Sequence, residues 1–559
     1  MSEIYGDTTG LKPSQLKLLE RIYRRKLDAD EFAPPELVRA LTETSHEIGR
    51  QVGVLISRAG AISHVVVGSA HRLDLPDFGR ARSGRGRFRG LRLLHTHLGG
   101  EPLSHDDLTD LALLRLDLCL MVQVGQTGLP MEGAYAYLLP PNSRGETWKI
   151  EPFKTVHQIG RSFQDFIYAL EEEFSKATSG IEADQREKAS VVGVAKRGDK
   201  RAPDSLGELE RLADAAGLHV IDRVLQYRHE IDPKYVTGKG KLEEVVIRAM
   251  QAGADVIIFD QDLRPSQLRS ISDRTDLKVL DRTQLILDIF AQRATSRAGK
   301  LQVEQAQMRY LMPRLGIMNT AMSRLTGGIG GRGPGETKLE INKRRAKDRL
   351  TRLSRELESL SAERDLRRRS REKSGLPVVA IVGYTNAGKS TLLNRLTLSD
   401  VLAEDRLFAT LDPVSRRLKF PEERQIILTD TVGFIRQLPQ DLVDAFKSTL
   451  EEVVVANLLI HLVDASDPDP EGQMQAVEKI LTDLEVQDTE RLVVLNKIDL
   501  APVGQVERLQ RMYQGIPVSA VTGEGLEVLL SAIERAIWRP RSQAITDIQR
   551  AEIETSFPG

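Results

Sequence analysis

The chain has 559 residues; at roughly 150 residues per domain it is expected to form three or four domains around separate cores. Hydrophobic residues make up 40% and charged residues 28%, which supplies core material and excludes a globally disordered chain. Lys+Arg (79) and Asp+Glu (80) cancel to a formal charge of −1, so affinity for nucleic acid has to come from local patches. The single cysteine, Cys119, excludes an internal disulfide and a cysteine-rich zinc site and fits a reducing compartment. No apolar run approaches about 18 residues, and residues 1–26 carry no signal-type apolar block, so a cytoplasmic protein without a membrane span is expected.

Residues 1–180 alternate apolar runs, such as Val52-Gly53-Val54-Leu55-Ile56 and Val65-Val66-Val67, with polar breaks. Six of the ten histidines (His46, His64, His71, His95, His97 and His105) fall within 46–105. A strand-like 91–94 leads into His95-Thr96-His97, six further residues, and Ser104-His105-Asp106-Asp107 opening a helix. This H-x-H…S-x-x-D pattern resembles MPN/JAB-type zinc metallohydrolase domains. The resemblance implies zinc on His95, His97 and Asp107, with an upstream glutamate acting on the bound water, for which Glu47 is the nearest candidate. The spacing is one residue shorter than that family's and lacks its proline, which would displace Asp107 from the histidines. The expectation is therefore a relative that has lost catalysis and serves as an interaction module, without bound zinc; an active hydrolase and an unrelated fold are the alternatives. Arg80, Arg82, Arg85, Arg87, Arg89 and Arg92, interleaved with glycine, read as a basic loop, either an RNA contact or a solvated surface.

Residues 181–204 are polar and weakly periodic and read as a linker. Beyond them, 206–216 and 240–252 carry helical periodicity, and 219–225, 255–260 and 278–281 are strand-like; this alternation predicts βαβ units and a parallel sheet. Gly238-Lys239-Gly240-Lys241 reads as a helix-start turn, a phosphate contact being the alternative. Helical periodicity resumes at Thr283, breaks at the glycine-rich 326–335, and runs on from Glu336, which predicts a helical hairpin. Its second arm, 338–373, holds 14 Lys/Arg and 7 Asp/Glu, a local charge of +7; with the glycines of the loop, it suits close approach to RNA phosphates.

The apolar run 378–382 precedes Gly383-Tyr384-Thr385-Asn386-Ala387-Gly388-Lys389-Ser390 and a helical stretch, the strand–loop–helix setting of a phosphate-binding loop. Backbone N–H groups would cradle the β-phosphate, Lys389 would reach the β- and γ-phosphates, and Ser390 would hold Mg²⁺. A second strand ends in Asp430-Thr431-Val432-Gly433, where Asp430 would hold the metal through water and the Gly433 N–H would meet the γ-phosphate. A third strand leads into Asn496-Lys497-Ile498-Asp499. The Asp499 carboxylate matches the guanine N1–H and N2–H₂ donors, which adenine lacks, so the nucleotide is GTP. Asn496 would brace the loop, the Lys497 stem would cover the purine, and a backbone N–H of Ser519-Ala520-Val521 would reach guanine O6. Within Phe408-Ala409-Thr410-Leu411-Asp412, Thr410 is the candidate second Mg²⁺ ligand. The position after Gly433, where many signalling GTPases carry a water-orienting glutamine, is Phe434; no catalytic residue identifies itself and slow unaided hydrolysis is expected. Arg406 and Arg436 flank these loops and read as surface charges.

Residues 281–283 (Asp-Arg-Thr), Leu287-Asp288-Ile289-Phe290-Ala291-Gln292-Arg293-Ala294, Gly299-Lys300-Leu301-Gln302-Val303-Glu304, the loop 327–337 (GGIGGRGPGET), 408–413 and Asp430-Thr431-Val432-Gly433-Phe434-Ile435 together resemble the HflX family of GTPases over about 205–540. The resemblance implies a GTPase that binds the 50S subunit, meets 23S rRNA near the peptidyl transferase centre through the hairpin, and splits stalled or hibernating 70S ribosomes. It also implies ATP binding by the 205–300 region. Rival functions are ribosome assembly or RNA modification, and a nucleotide-sensing scaffold whose N-terminal module carries the biology.

The expected fold is α/β: a P-loop GTPase domain, a smaller α/β domain, a helical hairpin linker and an additional N-terminal α/β domain. Expected boundaries are 1–180, a linker at 181–204, 205–300, a hairpin at 301–374, 375–540 and a tail at 541–559. Mg²⁺ is the expected cofactor and a monomer the expected state.

Overall fold

The computed structural model describes residues 4–76, 88–142, 146–179, 186–275, 277–314, 338–372, 375–397, 408, 414–420, 424–436 and 451–538. The basic stretch 80–87, the glycine loop 326–335, and Arg406, Ala409, Thr410, Leu411 and Asp412 lie outside these residues. The chain divides into two compact units, and the α/β class is as expected.

The first unit holds two sheets. In the first, strands β1 (Ile4–Gly6), β2 (Val52–Ser57), β3 (Ile62–Val67), β4 (Leu91–His97), β5 (Leu118–Val124), β6 (Pro130–Leu138) and β7 (Trp148–Phe153) run in the order β1-β3-β2-β4-β5-β6-β7. Helices α1 (Pro13–Tyr23), α2 (Pro35–Ile48), α3 (His105–Leu113) and α4 (Phe163–Ser179) belong to this part of the chain. Their apolar residues, Leu37 and Leu41 of α2 and Leu111 of α3 among them, share one core with Val54, Leu55, Leu93 and Leu120 of the sheet.

The second sheet is wholly parallel. Strands β8 (Lys188–Lys196), β9 (His219–Arg228), β10 (Val256–Phe259) and β11 (Lys278–Asp281) order as β11-β10-β8-β9, and helices α5 (Ala202–Ala215), α6 (Lys239–Gln251) and α7 (Pro265–Ser272) form the crossovers. The stretch expected to be a linker thus contains an interior strand. Residues Lys188 to Ala195 of β8 are all buried, because a parallel strand covered on both faces needs an apolar run rather than alternation. Nor is the N-terminal part merely tethered. Ile247 of α6 belongs to the first core, Leu113 of α3 packs on the second, and Gln251 Nε2 donates to the carbonyls of Leu139 (3.3 Å) and Thr147 (3.2 Å).

In the second unit, the helical region expected to run unbroken from Thr283 is two helices, α8 (Arg282–Arg293) and α9 (Arg297–Leu311), split where Ser296 caps α9 by accepting from Gly299 N–H. Helix α10 (Lys338–Glu372) runs antiparallel to α9: the Arg349 guanidinium forks onto both oxygens of Glu304 (2.7 and 2.8 Å), Gln305 Nε2 donates to Ser354 Oγ (2.9 Å), and Leu353 is buried. The third sheet follows, with β12 (Val378–Gly383), β13 (Val414–Lys419), β14 (Gln425–Asp430), β15 (Leu458–Asp464), β16 (Arg491–Asn496) and β17 (Ile516–Pro517) ordered β13-β14-β12-β15-β16-β17. Only β13 is antiparallel to its neighbour. Helices α11 (Lys389–Thr397), α12 (Glu451–Val454), α13 (Pro470–Asp483), α14 (Gln505–Tyr513) and α15 (Leu526–Trp538) complete it. The carboxyl ends of β12, β14 and β16 lie side by side or one strand apart, which is where open α/β sheets bind ligands.

Candidate functional site

Gly383 ends β12 and Lys389 opens α11, so the intervening loop turns its N–H groups toward a helix N-terminus. Two residues adopt left-handed backbone to make this turn, Asn386 (φ 63°) and Gly388 (φ 91°). Gly388 admits no side chain, since a Cβ there would lie 2.4 Å from Asn496 Nδ2. That amide donates to Ala387 O at 2.7 Å, while Asn496 Oδ1 accepts the Ala520 N–H at 3.0 Å. Asn496 therefore ties the phosphate loop to the 519–521 loop from the end of β16. Ser519 is buried and its hydroxyl accepts the Thr522 N–H at 3.1 Å, which shapes that loop; Val521 is exposed. Lys497 has a left-handed backbone (φ 62°) and its ammonium pairs with Asp464 at 2.7 Å; Ile498 N–H reaches Val518 O at 3.4 Å, and Asp499 is exposed.

Lys389 is 7% exposed, and its ammonium donates to the carbonyls of Gly383 (3.2 Å) and Tyr384 (2.9 Å). Burial pulls its pKa down to about 8, against the opposing attraction of Asp430. Ser390 Oγ donates to Asp430 Oδ2 at 2.6 Å, so the two side chains expected at the metal are already in contact. Thr431 Oγ1 donates to Ile381 O at 2.7 Å and holds the end of β14 against β12.

The segment after Asp430 is zipped onto the phosphate loop. Thr385 N–H donates to Phe434 O at 2.7 Å, Phe434 N–H donates to Gly383 O at 3.1 Å, and Tyr384 and Phe434 form a parallel bridge. A Cβ on Gly433 would meet Thr385 Cγ2 at 2.7 Å and Lys389 Nζ at 3.1 Å, so only glycine approaches this closely. Phe434 is 1% exposed; its side chain is core. Arg436, expected to be a surface charge, instead pairs with Asp469 at 2.7 Å with its side chain 19% exposed, and its N–H donates to Tyr384 Oη at 2.8 Å. Of the expected second metal-holding loop, Phe408 is described and buried, with a left-handed backbone (φ 58°); Thr410 lies outside the described residues.

In the first unit, β4 delivers His95 and His97 to one face, and α3 brings Asp107 over them. His95 Nε2 lies 3.4 Å from Asp107 Oδ1, His97 Nε2 3.5 Å from Asp107 Oδ2, and the two Nε2 atoms are 3.2 Å apart. The shorter spacing does not displace the aspartate, contrary to expectation. Ser104 caps α3 and donates its hydroxyl to Asp107 Oδ2 at 2.7 Å, and Asp107 N–H returns to Ser104 Oγ at 3.2 Å. His97 Nδ1 faces Glu101 O at 3.0 Å; a carbonyl only accepts, so Nδ1 carries the proton and the Nε2 lone pair points at the cluster. Burial opposes charge here, yet the contacts with Asp107 and Glu101 O leave the His97 pKa raised, and those from His95, His97 and Ser104 hold the Asp107 carboxyl well below its ordinary range. Two imidazoles and a carboxylate whose ligand atoms lie within 4.8 Å fit a divalent metal of zinc type. Glu47 is exposed on α2, and no contact joins it to the cluster among the described residues. Arg92, expected in a basic loop, is a strand residue, 1% exposed, lying over the Phe163 ring at 4.2 Å, with burial lowering its pKa to about 10. Lys239 opens α6 after Gly238 (φ 86°), and Lys239 and Lys241 pair with Glu243 and Glu244, the helix-start turn that was expected.

A six-stranded sheet ending in a phosphate loop, an Asp-x-x-Gly segment and an Asn-Lys-x-Asp segment is that of a P-loop GTPase. Three family models match consecutive stretches: a GTP-binding GTPase N-terminal region over 203–291, a GTP-binding GTPase middle region over 293–371, and a 50S ribosome-binding GTPase over 378–497. The GTPase HflX of Lacrimispora saccharolytica is 48% identical over 348 residues, covering 62% of this chain and 82% of that protein. That of Caldanaerobacter subterraneus subsp. tengcongensis is 48% identical over 354 residues (63% and 82%), and that of Escherichia coli K12 43% identical over 354 (63% and 83%). The chain belongs to the HflX GTPase family, and it is a GTP hydrolase. None of these three family models reaches the first 202 residues.

The Arg436–Asp469 pair, the zipper at Phe434 and the burial of Arg92 were not expected from the sequence. Only the last had a local signal, since Arg92 lies inside the strand-like 91–94.

Proposed function

We propose that this GTPase binds the large ribosomal subunit in its GTP-bound state and uses that state to separate ribosomal subunits. The zipper between Phe434 and the phosphate loop carries the reading. Thr385 N–H is engaged by Phe434 O, so a triphosphate that takes up this N–H has to displace the Asp430–Phe434 segment, while the Lys389 ammonium rests on the loop's own carbonyls of Gly383 and Tyr384. Ser390 and Thr410 would hold Mg²⁺, with Asp430 acting on it through water; we assign GTP contacts to 383–390, 408–412, 430–433, 496–499 and 519–521. That displacement gives a two-state element for a ribosome to sense. The +7 charge of 338–373 and the family model's description as a 50S ribosome-binding GTPase support rRNA as the partner. Proposed boundaries keep the hairpin and GTPase domain near 301–374 and 375–540, and start the α/β domain before β8. Among the described residues no helix is long and apolar enough to cross a membrane. Gradient profiles of 70S ribosomes with the protein and a non-hydrolysable GTP analogue test the reading: loss of 70S into subunits is expected, and unchanged 70S with no 50S co-migration overturns it.

His95, His97 and Asp107 favour a second reading for the N-terminal extension: an MPN/JAB-like module retaining a metal centre. Zinc would supply a Lewis-acidic position between the three side chains. Metal analysis of the purified full chain beside His97→Ala tests it; equal, negligible zinc in both would remove the centre.

A further inference from the structure

The face of β4 that carries the two histidines continues onto β2. The antiparallel register sets Gly53 opposite His95 and Leu55 opposite Leu93. Side chains two residues apart share a face, so Gln51, two positions before Gly53, lies on the face that carries the histidines. Its backbone is fixed there, N–H donating to Ser69 O (2.9 Å) and carbonyl accepting from Gly68 N–H (2.9 Å). Gly53 has no room for a side chain, since a Cβ would lie 2.5 Å from Leu73 Cδ2 and 3.2 Å from His95 Cβ. Gln51 is 1% exposed, and its Nε2 has no hydrogen-bond partner among the described residues. An unpaired buried amide costs about 1–3 kcal/mol, a cost native proteins rarely bear unless a ligand, an ion or an ordered water supplies the missing partner.

We propose that Gln51 is an oxyanion-positioning residue of the N-terminal centre, donating its Nε2–H to a carboxylate bound at the metal. The proposal rests on the metal reading above. A divalent ion with two neutral imidazoles and the Asp107 carboxylate keeps a net charge of +1, and three protein ligands leave a fourth position open. A monoanionic oxygen ligand neutralises that charge. The carboxamide adds a donor without adding a negative charge that would repel such a ligand.

The test uses the full-length protein loaded with Co²⁺, whose visible absorption reports its ligands, and acetate as the probe. Acetate is expected to alter the spectrum of the Co²⁺ protein. Gln51→Met, close in volume and without a donor, is expected to keep Co²⁺ bound and to weaken acetate by about tenfold, the effect of one hydrogen bond. Gln51→Glu is expected to abolish acetate binding while retaining the metal. Acetate affinity unchanged in Gln51→Met overturns the proposal, as does an acetate-insensitive spectrum in the parent protein. Absence of any Co²⁺ band in the parent overturns the metal reading itself, a separate outcome. If circular dichroism finds Gln51→Met unfolded, Gln51→Asn decides: its shortened amide is expected to weaken acetate, and parent-like affinity overturns the assignment.

Discussion

The Phe408 ring stands edge-on against Phe290, with centroids 4.6 Å apart at 81°, and both side chains are buried. Phe290 is on α8, the helix leading into the α9–α10 hairpin, while Phe408 lies two residues before the candidate metal ligand Thr410. A left-handed phenylalanine costs roughly 1–2 kcal/mol of backbone energy, and burial of the ring sustains it. Phe408→Ala is expected to destabilise this unit by about 3–5 kcal/mol, and Phe408→Gly by about 1 kcal/mol less, because glycine accepts φ 58° freely. Trp538, packed on Phe420 at 5.6 Å, reports the unfolding in a Trp148→Phe background. A glycine variant no more stable than the alanine variant would deny the backbone strain.

Phe434 stands where a glutamine often orients water, and restoring that glutamine is the obvious experiment. The side chain is buried, so Phe434→Gln would bury an amide rather than aim it at phosphate. Unfolding by denaturant should reveal a loss of about 1–3 kcal/mol, and phosphate release should not accelerate. A clear rate gain would place the side chain at the nucleotide.

Lys389→Ala is expected to remove tight GTP binding, since the buried ammonium sits directly on the phosphate loop. Asp499→Asn is expected to narrow the preference for guanine over adenine nucleotides by at least about 100-fold, a loss of paired polar recognition. Titrations with fluorescent GTP and ATP analogues measure both. GTP affinity and selectivity like the parent's in either variant would contradict the site.

The lowered Lys389 pKa makes a pH prediction. Its folded value, about 8, lies below the ordinary lysine value near 10.4, so between them the unfolded chain binds the extra proton and stability of the nucleotide-free protein rises with pH. GTP favours the charged form and should draw a proton in at pH above 8. Its affinity should therefore fall by up to about tenfold per pH unit above 8, and calorimetry in buffers of different ionisation enthalpy should detect the uptake. A flat affinity from pH 7.5 to 9.5 counts against the shift.

The segments of the proposed nucleotide site were legible because each is local: a strand, a short loop of prescribed residues and a helix. What joins them was not. Asn496 reaching Ala387 and Phe434 reaching Thr385 bridge 109 and 49 positions of chain, and one sequence carries no signal of that pairing. The histidine cluster was legible as spacing, but whether a six-residue connection lets Asp107 arrive depends on the Ser104 cap and the loop behind it. Residues 181–204 misled because their flanks are charged and dilute the apolar core of β8, and a strand buried on both faces lacks the alternation that identifies half-buried ones.

That strand also dictates where this protein can be cut. Truncations starting at 203, where family similarity begins, would strip β8 from between β9 and β10 and leave two open edges where a continuous sheet stood. Truncated chains intended to isolate the GTPase portion should begin between Ser179 and Arg186; later start points invite insoluble product for reasons unrelated to GTP.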